Sequence, residues 1–323
     1  MIKVAIVCDT SGKDDEGMKK VARNLATLID NFPGFNVTTI DTRDCLKLCS
    51  KFDFFHFIGG PSVKTIIVAF ICRCFNTRLN TFLTFTNPFL GRSTLFLLGI
   101  LKPTLCLVAS KKWLDILCKL NVRAVMFNVS GVDTKKFSPV HQDRKGSLRE
   151  KLNLPHDKIV VLHVGHLKED RNLRALLPLQ EDPDIQLVIV GSTTTKQSSE
   201  ESLLLREAGC IVVSDYIPAI EEYYQASDCY IFPTLNPRAA IQVPLSILEA
   251  LASGIPAVTT DFGGLKDTFG DFAGTLYYFK PDEFGILNML VKNHLHQEVG
   301  REISSNSIDW QYIASGLATI YEE

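Results

Sequence analysis

Three cations and one carboxylate carry the chemistry this chain can be read for. The segment VGHLKEDRNL (164–173) sets His166, Lys168 and Arg171 close together just after an apolar run. The segment FPTLNPRAAIQVPLSILEALASGIPAVTTDFGGL (232–265) runs strand, polar loop, helix, Gly turn, strand, Gly-Gly, with Glu249 in the first turns of the helix. Backbone N–H groups at a helix start, here Leu245 and Ser246, together with two or three cations are what a diphosphate needs. Pro244 is expected at the first helical position, where its missing N–H costs nothing. A carboxylate one turn deeper can accept hydrogen bonds from a ribose diol. The combination points to a nucleotide diphosphate.

The elements that must position these groups alternate along the chain. Candidate strands fall at 2–8, 35–40, 53–58, 81–86, 104–109 and 123–128, and again at 159–164, 185–190, 210–214, 228–232 and 256–260. Helix-period segments lie between them, as in MKKVARNLATLID, where Val21, Leu25, Leu28 and Ile29 make one apolar face. Near-continuous Val/Ile/Leu runs separated by helices mark parallel sheets covered on both faces. Two such sheets in series place the C-terminal ends of their strands face to face, so a ligand binds in the cleft between them. Polar insertions after three strands of the second half, including VGSTTTK (190–196), line that cleft. Neither half carries a GxGxxG after a first strand, which argues against a dinucleotide oxidoreductase.

Length and charge fit this organisation. A chain of 323 residues with 46% hydrophobic and 22% charged residues suits two folded domains. Residues 1–125 hold 17 Lys or Arg against 9 Asp or Glu, and the remainder 17 against 27. Opposite signs in the two halves suggest different partners. The polar stretch 129–158 is the expected interdomain connection. Nine cysteines, an odd number without CxxC pairing, read as free thiols in a reducing compartment, with Cys8, Cys72, Cys106, Cys118 and Cys229 in apolar surroundings. The apolar region 81–108 is interrupted by Pro88, Arg92, Lys102 and Pro103 before it reaches the roughly 20 residues that span a bilayer. With no secretory segment ahead of the first strand, a cytoplasmic protein is expected.

The second half resembles the family 4 glycosyltransferases, retaining enzymes of the GT-B fold, and the likeness extends over nearly the whole chain. SGVDTKKFSP (130–139) is close to the family's interdomain sequence, and DYIPAIEEYYQASDCYIFPT (215–234) to the helix and strand before its signature. Gly17 and the helix of 18–30 resemble the family's glycine loop and first helix. The terminal segment 307–323, with Trp310, resembles the helix that crosses back to the first domain. The resemblance implies an α/β architecture of two Rossmann-like, doubly wound domains: 1–130 on the acceptor side, 131–306 for the nucleotide sugar, and 307–323 crossing back.

It also implies roles. Of the family's two signature glutamates, the ribose-binding one falls on Glu249, and the one that touches the donor sugar falls on Ile241. This departure leaves the sugar to a neighbour such as Gln242, or the donor handled differently, or the activity lost. The pair of basic residues on the diphosphate falls on His166 and Arg171, with Lys168 able to compensate for a partly charged histidine. Gly191, Ser192, Tyr216 and Ile217 would hold base and sugar. A family histidine falls near Thr86 and Asn87, where none exists. His56, in DFFHFIGG, reads either as a core histidine or, beside Gly59 and Gly60, as an acceptor-side group.

The expected activity is metal- and cofactor-independent, retaining transfer from a UDP- or GDP-sugar to a sugar, lipid-linked or cell-surface glycan acceptor. Arg171 and Glu249 are its central residues. The alternative is a GT-B protein that binds nucleotide sugars without turnover. Twelve basic and three acidic residues between Arg43 and Arg123, interleaved with Phe-rich stretches, suit peripheral contact with the inner membrane face. They equally suit core strands with Lys and Arg solvating the outside. Nucleic acid is not expected, for want of a recognised module. Asp182-Pro183-Asp184 reads as a surface turn rather than a metal site.

Overall fold

The computed structural model describes residues 1–8, 17–191, 198–270, 276–295 and 305–323. Its strands are β1 (Ile2–Val7), β2 (Phe35–Ile40), β3 (Phe54–Ile58), β4 (Asn80–Phe85), β5 (Leu105–Val108) and β6 (Ala124–Met126), then β7 (Ile159–Gly165), β8 (Ile185–Gly191), β9 (Ile211–Val213), β10 (Cys229–Phe232), β11 (Ala257–Thr260) and β12 (Leu276–Phe279). They form two six-stranded sheets ordered β2-β1-β3-β4-β5-β6 and β12-β11-β10-β7-β8-β9. Every pairing is parallel. These are the two doubly wound parallel sheets that the alternating runs predict, in the GT-B architecture that the resemblance implies. The eleven expected strands are all present, and β12 is an addition, a four-residue edge strand.

Helices of the first half are α1 (Gly17–Asp30), α2 (Cys45–Leu48), α3 (Val63–Phe75), α4 (Arg92–Leu101) and α5 (Lys111–Lys119). Those of the second half are α6 (Gln142–Lys151), α7 (Leu177–Gln180), α8 (Ser199–Glu207), α9 (Glu221–Ala226), α10 (Leu245–Ala252), α11 (Leu265–Phe269), α12 (Leu287–Leu295), α13 (Ser305–Ile308) and α14 (Trp310–Glu322). Local chemistry sets several starts. Ser62 and Thr65 form a reciprocal capping box on α3, and Asp309 caps α14 by accepting from the Gln311 N–H.

One face of the first sheet is covered by α1 and α14, whose Trp310, Ile313, Leu317 and Tyr321 pack with Val21, Leu25 and Ile29 in a single core. The other face carries α2, α3, α4 and α5. Tyr321 also reaches the sheet interior, where His56 is fully buried: Nδ1 lies 2.5 Å from the Tyr321 hydroxyl and Nε2 2.6 Å from Thr84 Oγ1. Of its two readings, the structure selects the core one, bonded to side chains rather than backbone. Burial pulls its pKa down to about 3. All nine cysteines are free; seven are buried, but Cys118 is exposed, since it falls on the outer face of α5. Among the described residues no helix is long and apolar enough to cross a membrane.

Candidate functional site

The C-terminal ends of both sheets open onto a cavity of about 620 Å³. The second half lines it with Gly165 at the end of β7, His166 and Arg171 beyond it, Gly191 at the end of β8, Tyr216 and Ile217 after β9, and Ile241, Pro244, Leu245, Ser246 and Glu249 around the start of α10. The first half adds Gly17, Met18 and Lys20 from α1 and Asn87 after β4. Gly17 packs against α10: a Cβ there would meet Ile241 Cδ1 at 3.8 Å and Leu245 Cδ1 at 4.0 Å. The described start of α1 therefore faces the start of α10 across the cavity.

Arg171 is 8% exposed, yet its Nε has no hydrogen-bond partner. The guanidinium lies 5.8 Å from the Phe232 ring centroid, so an apolar floor holds it. Burial lowers its pKa from the usual guanidinium value, with the Tyr230 hydroxyl and Asp170 acting the other way. An arginine stays charged through such a shift. Beneath it His163 is fully buried, with Nδ1 2.9 Å from the Ile231 carbonyl and Nε2 unpartnered. Burial moves the His163 pKa down to about 4, and Arg171 adds to the depression. A buried cation with a spare donor, at the bottom of an open cleft, is arranged to meet an anion.

Glu249 is 7% exposed and held from both sides. Its Oε2 accepts from the Tyr224 hydroxyl at 2.9 Å, and its Oε1 pairs with Lys20 Nζ at 2.9 Å. Ser246 Oγ sits 2.7 Å from the Tyr230 hydroxyl, which accounts for one side of that group. Burial, then the Glu249 carboxylate, raises the Tyr224 pKa well above the ordinary phenol value, so it remains a donor. Pro244 is the N-cap of α10 rather than its first helical residue, a one-residue shift at which a missing N–H still costs nothing.

Charge in the cavity is uneven. Lys20, Lys136, Arg171 and Arg238 line it with His166, against Asp215 and Glu249. Lys136 pairs with Glu221 at 3.2 Å, and the Arg238 guanidinium lies 4.1 Å from the Phe89 ring centroid of the first half.

Four candidates lie outside the cavity lining. His56 is in the core. Thr86 is 4% exposed, its hydroxyl 3.2 Å from Met18 Sδ. Lys168 is half-buried in the loop leading to Arg171 and does not reach the lining. Gln242 is 2% exposed and joins the two halves: its Nε2 donates to the Phe85 carbonyl at 2.6 Å and its N–H to the Thr86 carbonyl at 2.7 Å. That use of the amide leaves it turned away from the cavity that Ile241 faces. The Gly-Gly pair completes the joint. Gly264 N–H donates to the Gln242 carbonyl at 2.9 Å, and a Cβ on Gly264 would lie 2.2 Å from the Ala109 carbonyl oxygen. Ser192 lies outside the described residues. Lys20, Tyr224, Tyr230 and Arg238 were not singled out, although Arg238 lies in the polar loop before α10 and Tyr224 and Tyr230 in the segment 215–234; Lys20 acts only through the fold.

The fold and cleft define a two-domain protein of the GT-B class. Residues 144–297 match the family described as Glycosyl transferases group 1. Its relatives include a putative teichuronic acid biosynthesis glycosyltransferase, TuaC, of Bacillus subtilis, 26% identical over 52% of this chain and 41% of that protein. Another is a D-inositol 3-phosphate glycosyltransferase of Streptosporangium roseum, 28% identical over 54% of this chain and 39% of that protein. The matches thus span about two fifths of these relatives' length. Among solved structures, Anabaena HepE in complex with UDP-glucose aligns with TM-score 0.78 at 15% identity, covering 100% of both chains. Sucrose-phosphate synthase from Thermosynechococcus elongatus aligns with TM-score 0.77 at 16% identity, over 100% of this chain and 98% of that one.

Proposed function

We propose that the chain is a retaining glycosyltransferase that moves a sugar from a nucleotide-diphosphate donor, a UDP- or GDP-sugar, to a sugar or lipid-linked acceptor. The observation that carries this is the buried, under-bonded Arg171 facing the start of α10, with buried Glu249 one turn deeper. In this reading residues 131–306 hold the donor, 1–130 the acceptor, and 307–323 tie the two together. Glu249 accepts from the ribose diol, which displaces Lys20 toward the diphosphate. Gly191, Tyr216 and Ile217 flank the base.

Breaking the bond between sugar and diphosphate puts negative charge on the leaving β-phosphate. Arg171, His166, Lys20 and the N–H groups of Leu245 and Ser246 face that charge as it develops, which is where fixed dipoles and cations accelerate a reaction. No step needs a metal, because these groups supply the positive potential. Excluding water as the halves close strengthens each interaction and favours transfer over hydrolysis.

A second reading, a nucleotide-sugar-binding protein without turnover, is favoured by one feature: Ile241 faces the cavity where a carboxylate would touch the sugar, and Gln242 is committed to the interdomain joint. Transfer and hydrolysis assays over a panel of nucleotide sugars, with lipid extract as acceptor, separate the two. Release of nucleoside diphosphate that falls at least about tenfold in Arg171→Ala supports the transferase, tenfold corresponding to loss of about one charge-assisted hydrogen bond. Tight donor binding with no release from any sugar overturns it.

A further inference from the structure

Residues 54–114 contain seven Lys or Arg and no Asp or Glu. Most of this stretch outside the strands forms one layer, the helices α3, α4 and the start of α5 on a single face of the first sheet. That layer also exposes apolar side chains. On α3, Val63, Ile67 and Phe70 follow one another at helical spacing on the outer side, and Phe75 at the helix end is 77% exposed. On the adjacent α4, Phe96 is 67% and Ile100 58% exposed. The Arg73 guanidinium donates to the Lys102 carbonyl and ties the ends of the two helices together. Lys64, Arg78 and Arg92 stand exposed around these side chains.

We infer that the α3–α4 face docks flat on a bilayer containing anionic phospholipid, with the phenylalanines entering the headgroup boundary and the basic residues meeting lipid phosphates. The two features act together: apolar side chains supply insertion, and each cation near an anionic surface adds attraction within a Debye length. Charge decides against the other occupant of comparable size. A second copy of this chain related by a two-fold axis would set the same basic residues against one another. A membrane supplies the opposite sign.

Docking in this way orients the cleft. Helices follow their strands, so α3 and α4 begin at the strand ends that face the cavity. The loop entering α4 supplies Asn87 to the cavity lining and places Phe89 beneath Arg238 at its mouth. The cleft mouth thus lies beside the membrane plane, within reach of an acceptor held in lipid. The docking itself does not depend on the transferase reading, and it is tested without any donor.

The experiment is co-sedimentation of the whole chain with vesicles of phosphatidylcholine alone or mixed with phosphatidylglycerol, at low and high salt. Binding is expected to the mixed vesicles and to fall at high salt. The triple variant Lys64→Glu/Arg78→Glu/Arg92→Glu should bind them at least about tenfold more weakly, and Phe96→Ser/Ile100→Ser should also lose binding. Unchanged melting temperatures in both variants show that the loss is not unfolding. Three results would overturn the proposal: no binding of the wild type to mixed vesicles, equal binding to both vesicle types, or a lipid-free dimer that Phe96→Ser/Ile100→Ser dissociates.

Discussion

The two walls of the cleft come from parallel sheets of the same size, six strands each, but they hold charge in opposite ways. On the second-half wall Arg171 and Glu249 are each more than nine-tenths buried, packed against Phe232 and bonded to Tyr224. On the first-half wall Lys20 reaches out from α1 with a side chain 42% exposed. Buried charge is costly and is kept only where it is held rigidly, so the second wall is preorganised for one ligand. An exposed lysine is adjustable and can change partners as the halves move. The difference teaches where recognition and where adaptation reside.

The comparison breaks most completely if the two walls are pushed apart. Gly264→Ala places a methyl group 2.2 Å from the Ala109 carbonyl oxygen, which is backbone and cannot move aside. We expect destabilisation of roughly 2–4 kcal/mol, seen as a lower denaturation midpoint, with weaker nucleotide binding. Arg171→Ala comes next. It should cut nucleoside diphosphate affinity by about tenfold to a hundredfold in titration calorimetry, with little change in fold. Lys20→Ala should have a smaller effect, about three- to fivefold weaker diphosphate binding, because it removes only an exposed, screened charge. Raising salt should shrink the Lys20 effect more than the Arg171 effect. If the two shrink equally, the contrast between the walls is wrong.

A separate effect, seen only in acid, falls on stability. His163 and His56 have folded pKa values of about 4 and about 3, below the unfolded 6.5. Between these values the unfolded chain binds more protons, so stability falls as pH drops below 6.5 and the loss levels off below about 4 and then about 3. His163→Gln should flatten part of the thermal-melt dependence over that window, measured against the wild type.

How legible this was depends on whether a feature is local. The strands, the order of polar loops and the helix of Glu249 were readable because each is a continuous run with its own period. Arg171, Glu249 and Ser246 were readable because they follow a strand or open a helix, and strand ends meet at the cleft, whereas Gly191 and Tyr216 came only from the family resemblance. Lys20 was not, since its partner is 229 residues away. Gln242 was misjudged for the same reason: an amide beside a cavity residue looks like a ligand contact until the Phe85 carbonyl, 157 residues distant, is seen to take it. Cys118 sits in apolar sequence yet on an outward helix face, where local composition says nothing about side-chain direction.

The central claim is that Arg171 recognises a diphosphate whose nucleoside is held by the same wall. Calorimetric titration of UDP, GDP and the matching monophosphates into wild type and Arg171→Ala tests it directly. The wild type should prefer one diphosphate over its monophosphate, and Arg171→Ala should lose most of that preference while still binding the monophosphate. Full diphosphate affinity in Arg171→Ala would contradict the assignment.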